Sequence, residues 1–126
     1  MATWREIGQD DFRAAHDLYD LKRYRSSVSR FYYAAFSLLT YELARNGIVF
    51  RLGRQTPAHA ELAELITENL TQFSETRRTA IALLTLRLYR SRLDADYFDQ
   101  RIDRRAAERA MRDAEKLFRY FGVDHE

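Results

Sequence analysis

Residues 26–46 read SSVSRFYYAAFSLLTYELARN, and this stretch decides the fold. Five apolar residues recur along it at helical spacing: Val28, Tyr32, Ala35, Leu39 and Leu43. Further apolar side chains widen that face until little of the middle turns can meet water. The stretch therefore predicts a central helix that is buried on nearly all sides and is ended by Gly47. Other helices must surround it.

The segment before the central helix has its own helical period. Apolar residues recur three or four apart over residues 10–23, with Asp10 or Asp11 as the N-cap. The connection, residues 23–26, is short. Two helices joined by so short a link must pack as antiparallel neighbours, so we expect an αα-hairpin.

Three more helices follow a predicted loop over residues 48–55. Thr56 and Pro57 are typical of an N-cap and a first helical position, and they predict a third helix that ends near Leu70. Ser74 is the expected N-cap of a fourth helix, and Asp103 that of a fifth. The predicted fold class is all-α, an antiparallel up-and-down bundle of four to five helices.

Length and composition restrict the class of protein. The 126 residues can bury one hydrophobic core, so we expect a single helical domain over residues 1–126. The absence of cysteine excludes disulfides, zinc–thiolate sites and cysteine nucleophiles. The N-terminal sequence is too polar for a signal peptide, and the longest apolar run, Phe31 to Leu39, is too short to span a membrane. We expect a soluble cytoplasmic protein.

Metal and cofactor chemistry have no visible place in the sequence. The three histidines, His16, His59 and His125, are scattered, and no paired-ligand spacing occurs. The four glycines never cluster into a phosphate-binding loop. We therefore expect neither a metal nor a cofactor.

One charged residue lies on an apolar face. On a helical wheel Arg92 falls about 20° from Ile81, among the apolar residues of the fourth helix. Asp96 lies one turn further on, at i+4. Two interpretations remain open: an Arg92–Asp96 ion pair that closes the end of the core, or a guanidinium held ready for a phosphate.

Two short motifs resemble a known family. SRFYYAAF (residues 29–36) and RLDADY (residues 92–97), followed by an alanine-rich last helix, are similar to the S-R-x-Y-Y-A-x-F and R-x-x-A-D-Y signatures of small prokaryotic HEPN domains. The similarity covers roughly residues 10–121, with both signatures in the right order.

This resemblance implies a helical bundle that commonly forms a homodimer. Many HEPN proteins are metal-independent ribonucleases of toxin–antitoxin, CRISPR or phage-defence systems, often encoded beside a small nucleotidyltransferase. Their catalytic motif is an arginine, four to six residues, then a histidine. The arginine would stabilise the phosphorane charge while the histidine moves a proton of the 2′-hydroxyl or the leaving oxygen.

The chain departs from that motif. Arg92 occupies the arginine position, but Tyr97 stands where the histidine belongs. A phenol ordinarily has a pKa of about 10, so it is a poor proton acceptor near neutral pH. Arg54 and His59 have the same spacing, although they span a loop and the start of the third helix. His59 is therefore a second candidate for the missing base.

Other arginines and aromatic residues are candidates for binding RNA. Arg87 and Arg90 project away from the Ile81 face, toward solvent. Five aromatic residues could stack bases beside them, or could instead belong to the core or a dimer interface: Tyr32, Tyr33, Tyr89, Tyr97 and Phe98.

Three functions follow from these observations. The first is a homodimeric module that binds RNA or a nucleotide, or a nucleotidyltransferase-type partner, with Arg92, Asp96, Arg87 and Arg90 as binding residues. The second is a ribonuclease that uses Arg92 with Tyr97 or His59. The third is a non-catalytic assembly subunit.

Overall fold

The computed structural model describes residues 1–50, 55–97 and 101–123. In this part of the chain every regular element is helical: α1 (Trp4–Asp20), α2 (Tyr24–Arg45), a 3₁₀ turn (His59–Glu61), α3 (Leu62–Asn69), α4 (Glu75–Tyr97) and α5 (Arg104–Tyr120). The predicted all-α helical bundle is confirmed. Among the helices so described, none combines the length and the apolar character needed to cross a bilayer.

The central position of α2 is also confirmed. Its five predicted core residues are all at most 1% exposed, and α1, α4 and α5 pack around it. Buried hydroxyls on α2 are satisfied, since Ser27 Oγ donates to the carbonyl oxygen of Ala15 at 2.9 Å and Thr40 Oγ1 to that of Phe36 at 2.8 Å. Gly47 follows the helix with a φ of +82°, as expected of a residue that ends it.

The predicted start of the first helix was wrong. The helix begins at Trp4 rather than near residue 10, because Thr3 and Glu6 form a reciprocal capping box: each side chain accepts a hydrogen bond from the other residue's backbone N–H, both at 3.1 Å. The helix also ends earlier, at Asp20, and the connection to α2 is the turn at residues 21–23 rather than residues 23–26. The predicted αα-hairpin itself is present.

Gly8 allows α1 and α2 to approach closely. A Cβ atom at this position would lie 2.9 Å from the carbonyl oxygen of Ala34 and 3.2 Å from the backbone nitrogen of Leu38. Both of these neighbours are backbone atoms of α2, so they cannot move aside as a flexible side chain would. The absence of a side chain at Gly8 therefore sets the distance between the two helices.

The third helix starts later than predicted. Thr56 and Pro57 precede a 3₁₀ turn that begins at His59, and α-helical geometry starts only at Leu62. Pro57 is buried, so this segment packs against the rest of the protein and does not form a regular first turn of the helix. Leu62, Ile66 and Leu70 face inward and are buried, whereas Leu65 is only partly buried. Of the predicted loop, residues 51–54 lie outside the described residues.

The last two helices begin at the predicted caps. Ser74 Oγ accepts a hydrogen bond from the backbone N–H of Arg77 at 3.2 Å, and Asp103 Oδ1 accepts one from that of Ala106 at 2.9 Å. The fourth helix continues to Tyr97, so Arg92 and Asp96 lie on one unbroken helix.

We predict that Gly8→Ala destabilises the protein although alanine is the better helix former. Alanine would gain about 1 kcal/mol from helix propensity, but its methyl group would force α1 away from α2. Overpacking of this kind costs about 1–3 kcal/mol, so the free energy of unfolding in urea should fall. Arg13→Ala, at an exposed position of the same helix, should change it by less than about 0.5 kcal/mol. A Gly8→Ala protein more stable than the wild type would contradict the close approach.

Candidate functional site

Arg92 lies at the meeting point of α4 and α2. It is only 9% exposed and shares its face of α4 with Ile81, Leu88 and Ala95, which are all buried. A charged group in such a place must be satisfied by its neighbours, because an unpaired buried charge is strongly unfavourable. Its partners therefore define the site.

The hydrogen bonds of Arg92 come from both helices. Nε donates to Asp96 Oδ2 at 2.9 Å, and Nη2 donates to the hydroxyl of Tyr33 at 2.8 Å and to that of Tyr97 at 3.4 Å. The second oxygen of Asp96, Oδ1, accepts from Ser29 Oγ at 2.7 Å. We call Ser29, Tyr33, Arg92, Asp96 and Tyr97 the Arg92 cluster. The predicted Arg92–Asp96 ion pair is present in it.

Aromatic rings complete the environment of the guanidinium. Its central carbon lies 5.3 Å from the ring centroids of Tyr33 and Tyr97 and 5.8 Å from that of Tyr32. Burial lowers the pKa of Arg92, but nearby Tyr33, Tyr97 and Asp96 raise it by more, so the net shift is upward. The guanidinium thus stays charged beside aromatic faces, with the carboxylate of Asp96 as its counterion.

His59 reaches the cluster through a second tyrosine. Its Nδ1 lies 2.5 Å from the hydroxyl of Tyr32, and its ring stacks on Phe36 at 4.4 Å and on Tyr89 at 6.1 Å between centroids. Tyr32 is 1% exposed, and burial raises its pKa well above the usual range, so its phenol stays protonated. Tyr32 therefore stands between the imidazole and Arg92.

A groove opens beside the Arg92 cluster. Cluster residues Ser29, Tyr33 and Asp96 form part of its wall, together with Arg25 and Arg30. The Nη1 atom of Arg25 donates to the carbonyl oxygen of Ala95, and that of Arg30 bonds Asp11 Oδ1 at 3.1 Å while its side chain remains 51% exposed. Two arginines thus flank the groove, with hydroxyl groups and an aromatic ring between them.

The predicted site residues fall into two groups. Arg92, Asp96 and Tyr97 are brought together, and His59 is separated from Arg92 by Tyr32. Arg87 and Arg90 are on other sides of α4. Arg87 forms a two-pronged ion pair with Asp113 of α5, and Arg90 is exposed. Arg54 and Phe98 lie outside the described residues.

Tyr97 does not close the core as one interpretation of the sequence expected. The residue is 67% exposed, although one face of its ring and its hydroxyl contact Arg92. It is the last residue of α4, where the surrounding helices no longer cover it. An external molecule can therefore reach the phenol.

The sequence interpretation missed the contribution of α2 to the site. Ser29, Arg30 and Tyr33 line the groove, and Arg25 lies one turn before Ser29. The signal was present, because Ser29, Arg30 and Tyr33 are all letters of the SRFYYAAF motif. Of the three, only Tyr33 was a candidate, as one of five aromatic residues that could stack bases, because the stretch was interpreted as core.

A metal ion has no evident place in the described structure. Across residues 1–50, 55–97 and 101–123, no three or more histidine, aspartate or glutamate residues converge to hold one. The cluster offers the chemistry of a guanidinium, two phenols, a carboxylate and the Ser29 hydroxyl, with the imidazole of His59 beyond Tyr32.

Comparison with known proteins identifies the family. A search of curated proteins and one of solved structures found no match. A family model described as the HEPN domain matches residues 1–123, nearly the whole chain. Both short motifs fall within that match, one at the start of the groove on α2 and the other at the end of α4. The chain belongs to the HEPN domain family.

Proposed function

We propose that this HEPN domain is a cytoplasmic homodimeric module that binds RNA or a nucleotide at the Arg92 cluster and the adjoining groove. The single observation that carries the proposal is a buried guanidinium beside a groove flanked by two further arginines. Phosphate oxygens are the ligands that such arginines favour, since the planar fork donates two parallel hydrogen bonds. Tyr33 adds a ring on which a base can stack.

The donors of Arg92 are not all used within the described part of the chain. Its hydrogen bonds there involve Nε and Nη2, whereas Nη1 makes none. The carboxylate of Asp96 is itself divided between Arg92 and Ser29. A purely structural ion pair would more commonly be bidentate, as Arg87 and Asp113 are. This difference favours a ligand-binding role over a role in assembly alone.

A ribonuclease is the second candidate, and one observation favours it. The exposed Tyr97 hydroxyl lies 3.4 Å from Arg92 Nη2, so both groups can contact the same phosphate. The arginine would stabilise charge on the phosphorane, while Tyr97 or His59 would have to move the proton. The family histidine is replaced by Tyr97, and His59 bonds Tyr32, so we rank binding above cleavage.

A heptad-spaced stripe on α4 supports the homodimer. Residues on its outer side recur at intervals of three and four: Leu83, Leu86, Arg90, Leu93 and Tyr97. Leu83 is 55% and Leu86 40% exposed, which is unusual for leucines in so regular a pattern. This spacing is typical of a helix that pairs with another helix, and a second copy supplies one by two-fold symmetry.

The biological setting is inferred from the family likeness. Toxin–antitoxin or defence systems are the context in which small HEPN domains of this kind commonly occur, often with a nucleotidyltransferase-type partner. The α4 stripe is the surface of this chain on which the helix of such a partner would compete with a second copy.

We predict that Arg92→Ala weakens binding of a single-stranded RNA by at least about tenfold, because a charge-assisted contact to phosphate is worth about 1.5–3 kcal/mol. Arg92→Lys should not restore it, since one ammonium cannot bond Asp96, Tyr33 and a phosphate in the fixed directions that the guanidinium provides. Filter binding or anisotropy would measure the affinity. Arg13→Ala, which removes one exposed cation from α1, is the matched control.

Stability separates a binding role from a structural one. If Arg92 serves only the fold, Arg92→Ala leaves Asp96 without its cation and lowers the free energy of unfolding by about 3–5 kcal/mol. Because the Asp96 side chain is 27% exposed and keeps its bond to Ser29, we expect a smaller loss. A large loss of stability with unchanged RNA binding would refute the proposal.

Cleavage is tested on the same RNA in EDTA. The binding module leaves the RNA intact over hours, whereas a ribonuclease shortens it. If cleavage is seen, Tyr97→Phe and His59→Ala identify the group that moves the proton, since the first removes only a hydroxyl and the second removes the imidazole. Cleavage that is abolished by Arg92→Ala would replace binding with catalysis as the function.

The dimer prediction concerns the stripe. The double variant Leu83→Glu, Leu86→Glu should elute as a monomer in size-exclusion chromatography with light scattering. Pairing of the two α4 stripes would bury two unpaired carboxylates from each copy, which is strongly unfavourable. The double variant Leu21→Glu, Val49→Glu changes two exposed apolar residues elsewhere and should remain dimeric. A wild-type protein that is monomeric at all concentrations would exclude the homodimer.

A further inference from the structure

The outer face of α5 carries an unbroken row of positive charge. Five cationic residues recur along it at intervals of four and three: Arg105, Arg109, Arg112, Lys116 and Arg119. All five are exposed. The opposite face of the helix is apolar and packs against α2 and α4. We call these five residues the α5 stripe.

The acidic residues of α5 leave most of this stripe uncompensated. Glu108 pairs with Arg112, but Asp113 bonds Arg87 of α4 and Glu115 lies 3.7 Å from His16 of α1. In the described part of the chain, Arg109, Lys116 and Arg119 form no ion pair. Two of the three carboxylates are thus directed away from the stripe, toward other helices.

The arrangement is unfavourable for the helix alone. Every neighbouring pair along the stripe is a like-charge pair at three or four residues' distance, which weakens a helix. Arg105 also lies in the first turn, where the helix dipole disfavours a cation. A polyanion bound along the stripe would remove both penalties.

The C-terminal end of the stripe borders a shallow cleft. Lys116 and Arg119 line it with Tyr120 from α5 and Arg77 from the start of α4. Three cations and one partly buried tyrosine therefore share this cleft. Cations and an aromatic ring along one surface are typical of proteins that track a single strand and stack its bases.

We propose that the α5 stripe binds the phosphate backbone of single-stranded RNA, without reading its sequence. From residue 105 to residue 119 the helix rises about 21 Å, which is long enough to run beside several consecutive phosphates of a single strand. The Cβ atoms of neighbouring stripe residues lie about 5–6 Å apart, which is within the Debye length of about 8 Å at physiological salt, so the potentials of these residues add. The stripe has a length that suits a polynucleotide and is longer than a mononucleotide can cover.

The stripe favours RNA over a lipid surface. A helix that lies on a membrane needs apolar side chains beside its cations, to insert below the headgroups. None of the large exposed apolar residues of the described chain is on α5. The stripe is also separate from the Arg92 cluster, which lies between α4 and α2, so this inference goes beyond the function proposed above.

The experiment compares two triple variants that remove the same charge. In the stripe variant, Arg109, Lys116 and Arg119 are each changed to Gln. In the control, the exposed Arg13 and Arg23 are changed to Gln and Lys22 to Asn, because Lys22 has a φ of +61° that asparagine tolerates. Binding of a mixed-sequence RNA of about 20 nucleotides is measured by anisotropy at several salt concentrations in EDTA. AMP and phosphatidylserine vesicles are the other ligands.

We expect the stripe variant to bind RNA on the order of tenfold more weakly at low salt. Its slope of log affinity against log salt should be shallower by about 2, since each lost phosphate contact removes about 0.7. The control should keep the wild-type slope, and AMP binding should be unaffected by either. The thermal midpoint of the stripe variant should equal or exceed that of the wild type, because like charges have been removed.

Three outcomes would overturn the inference. An unchanged salt slope in the stripe variant would show that the stripe does not contact phosphates. Equal losses in both triple variants would show a dependence on net charge alone. Retention on anionic vesicles without RNA binding would assign the stripe to membranes. In an Arg92→Ala protein, neutralising the stripe should still make the slope of log affinity against log salt shallower. The proposal for the Arg92 cluster and the proposal for the α5 stripe can therefore fail separately.

Discussion

The enclosure of α2 is the constraint on which the rest of the structure depends. A helix of 22 residues that is buried around its middle turns requires apolar faces on the helices around it, and α1, α4 and α5 supply most of them. It also requires one close backbone approach, which Gly8 permits. The same enclosure directs Ser29, Tyr32 and Tyr33 against the end of α4. The groove therefore depends on the core helix for its position.

Arg92 connects that core to a surface on which chemistry is possible. Its guanidinium is acceptable on an apolar face only because two helices contribute partners, with Tyr33 from α2 and Asp96 from α4. These partners also fix its orientation, which a ligand would otherwise have to restrain at an entropic cost. Tyr32 and His59 add a second layer behind it. The site is thus rigid where it is buried and accessible at Tyr97 and the groove.

Helix ends were predicted correctly where one capping or terminating residue marks them. Asp103 and Ser74 capped as expected, and Gly47 ended α2. The start of α1 was missed because a polar N-terminus resembles an unstructured one unless the Thr3–Glu6 capping box is recognised. The predicted start of the third helix was wrong because Pro57 is buried ahead of a 3₁₀ turn, and α-helical geometry begins only after that turn.

The site was predictable to the extent that it lies on one helix. The i+4 relation of Arg92 and Asp96 follows from α4 alone, and it was predicted. Contacts between helices depend on how α2 and α4 rotate against each other, and periodicity does not determine this rotation to the accuracy of a hydrogen bond. Tyr33 was therefore not assigned to Arg92, and the route from His59 through Tyr32 was not foreseen.

The bundle separates its charges as well as its helices. The segment of the 3₁₀ turn and α3 carries Glu61, Glu64 and Glu68, while α5 carries the basic stripe, and both pack against α4. A molecule that is acidic on one flank and basic on another has an electric dipole moment although its formal net charge is only +2. In the field of a polyanion such a body experiences a torque before any contact forms. The domain would approach a polyanion with α5 facing it. This orientation depends on the distribution of charge over the whole fold.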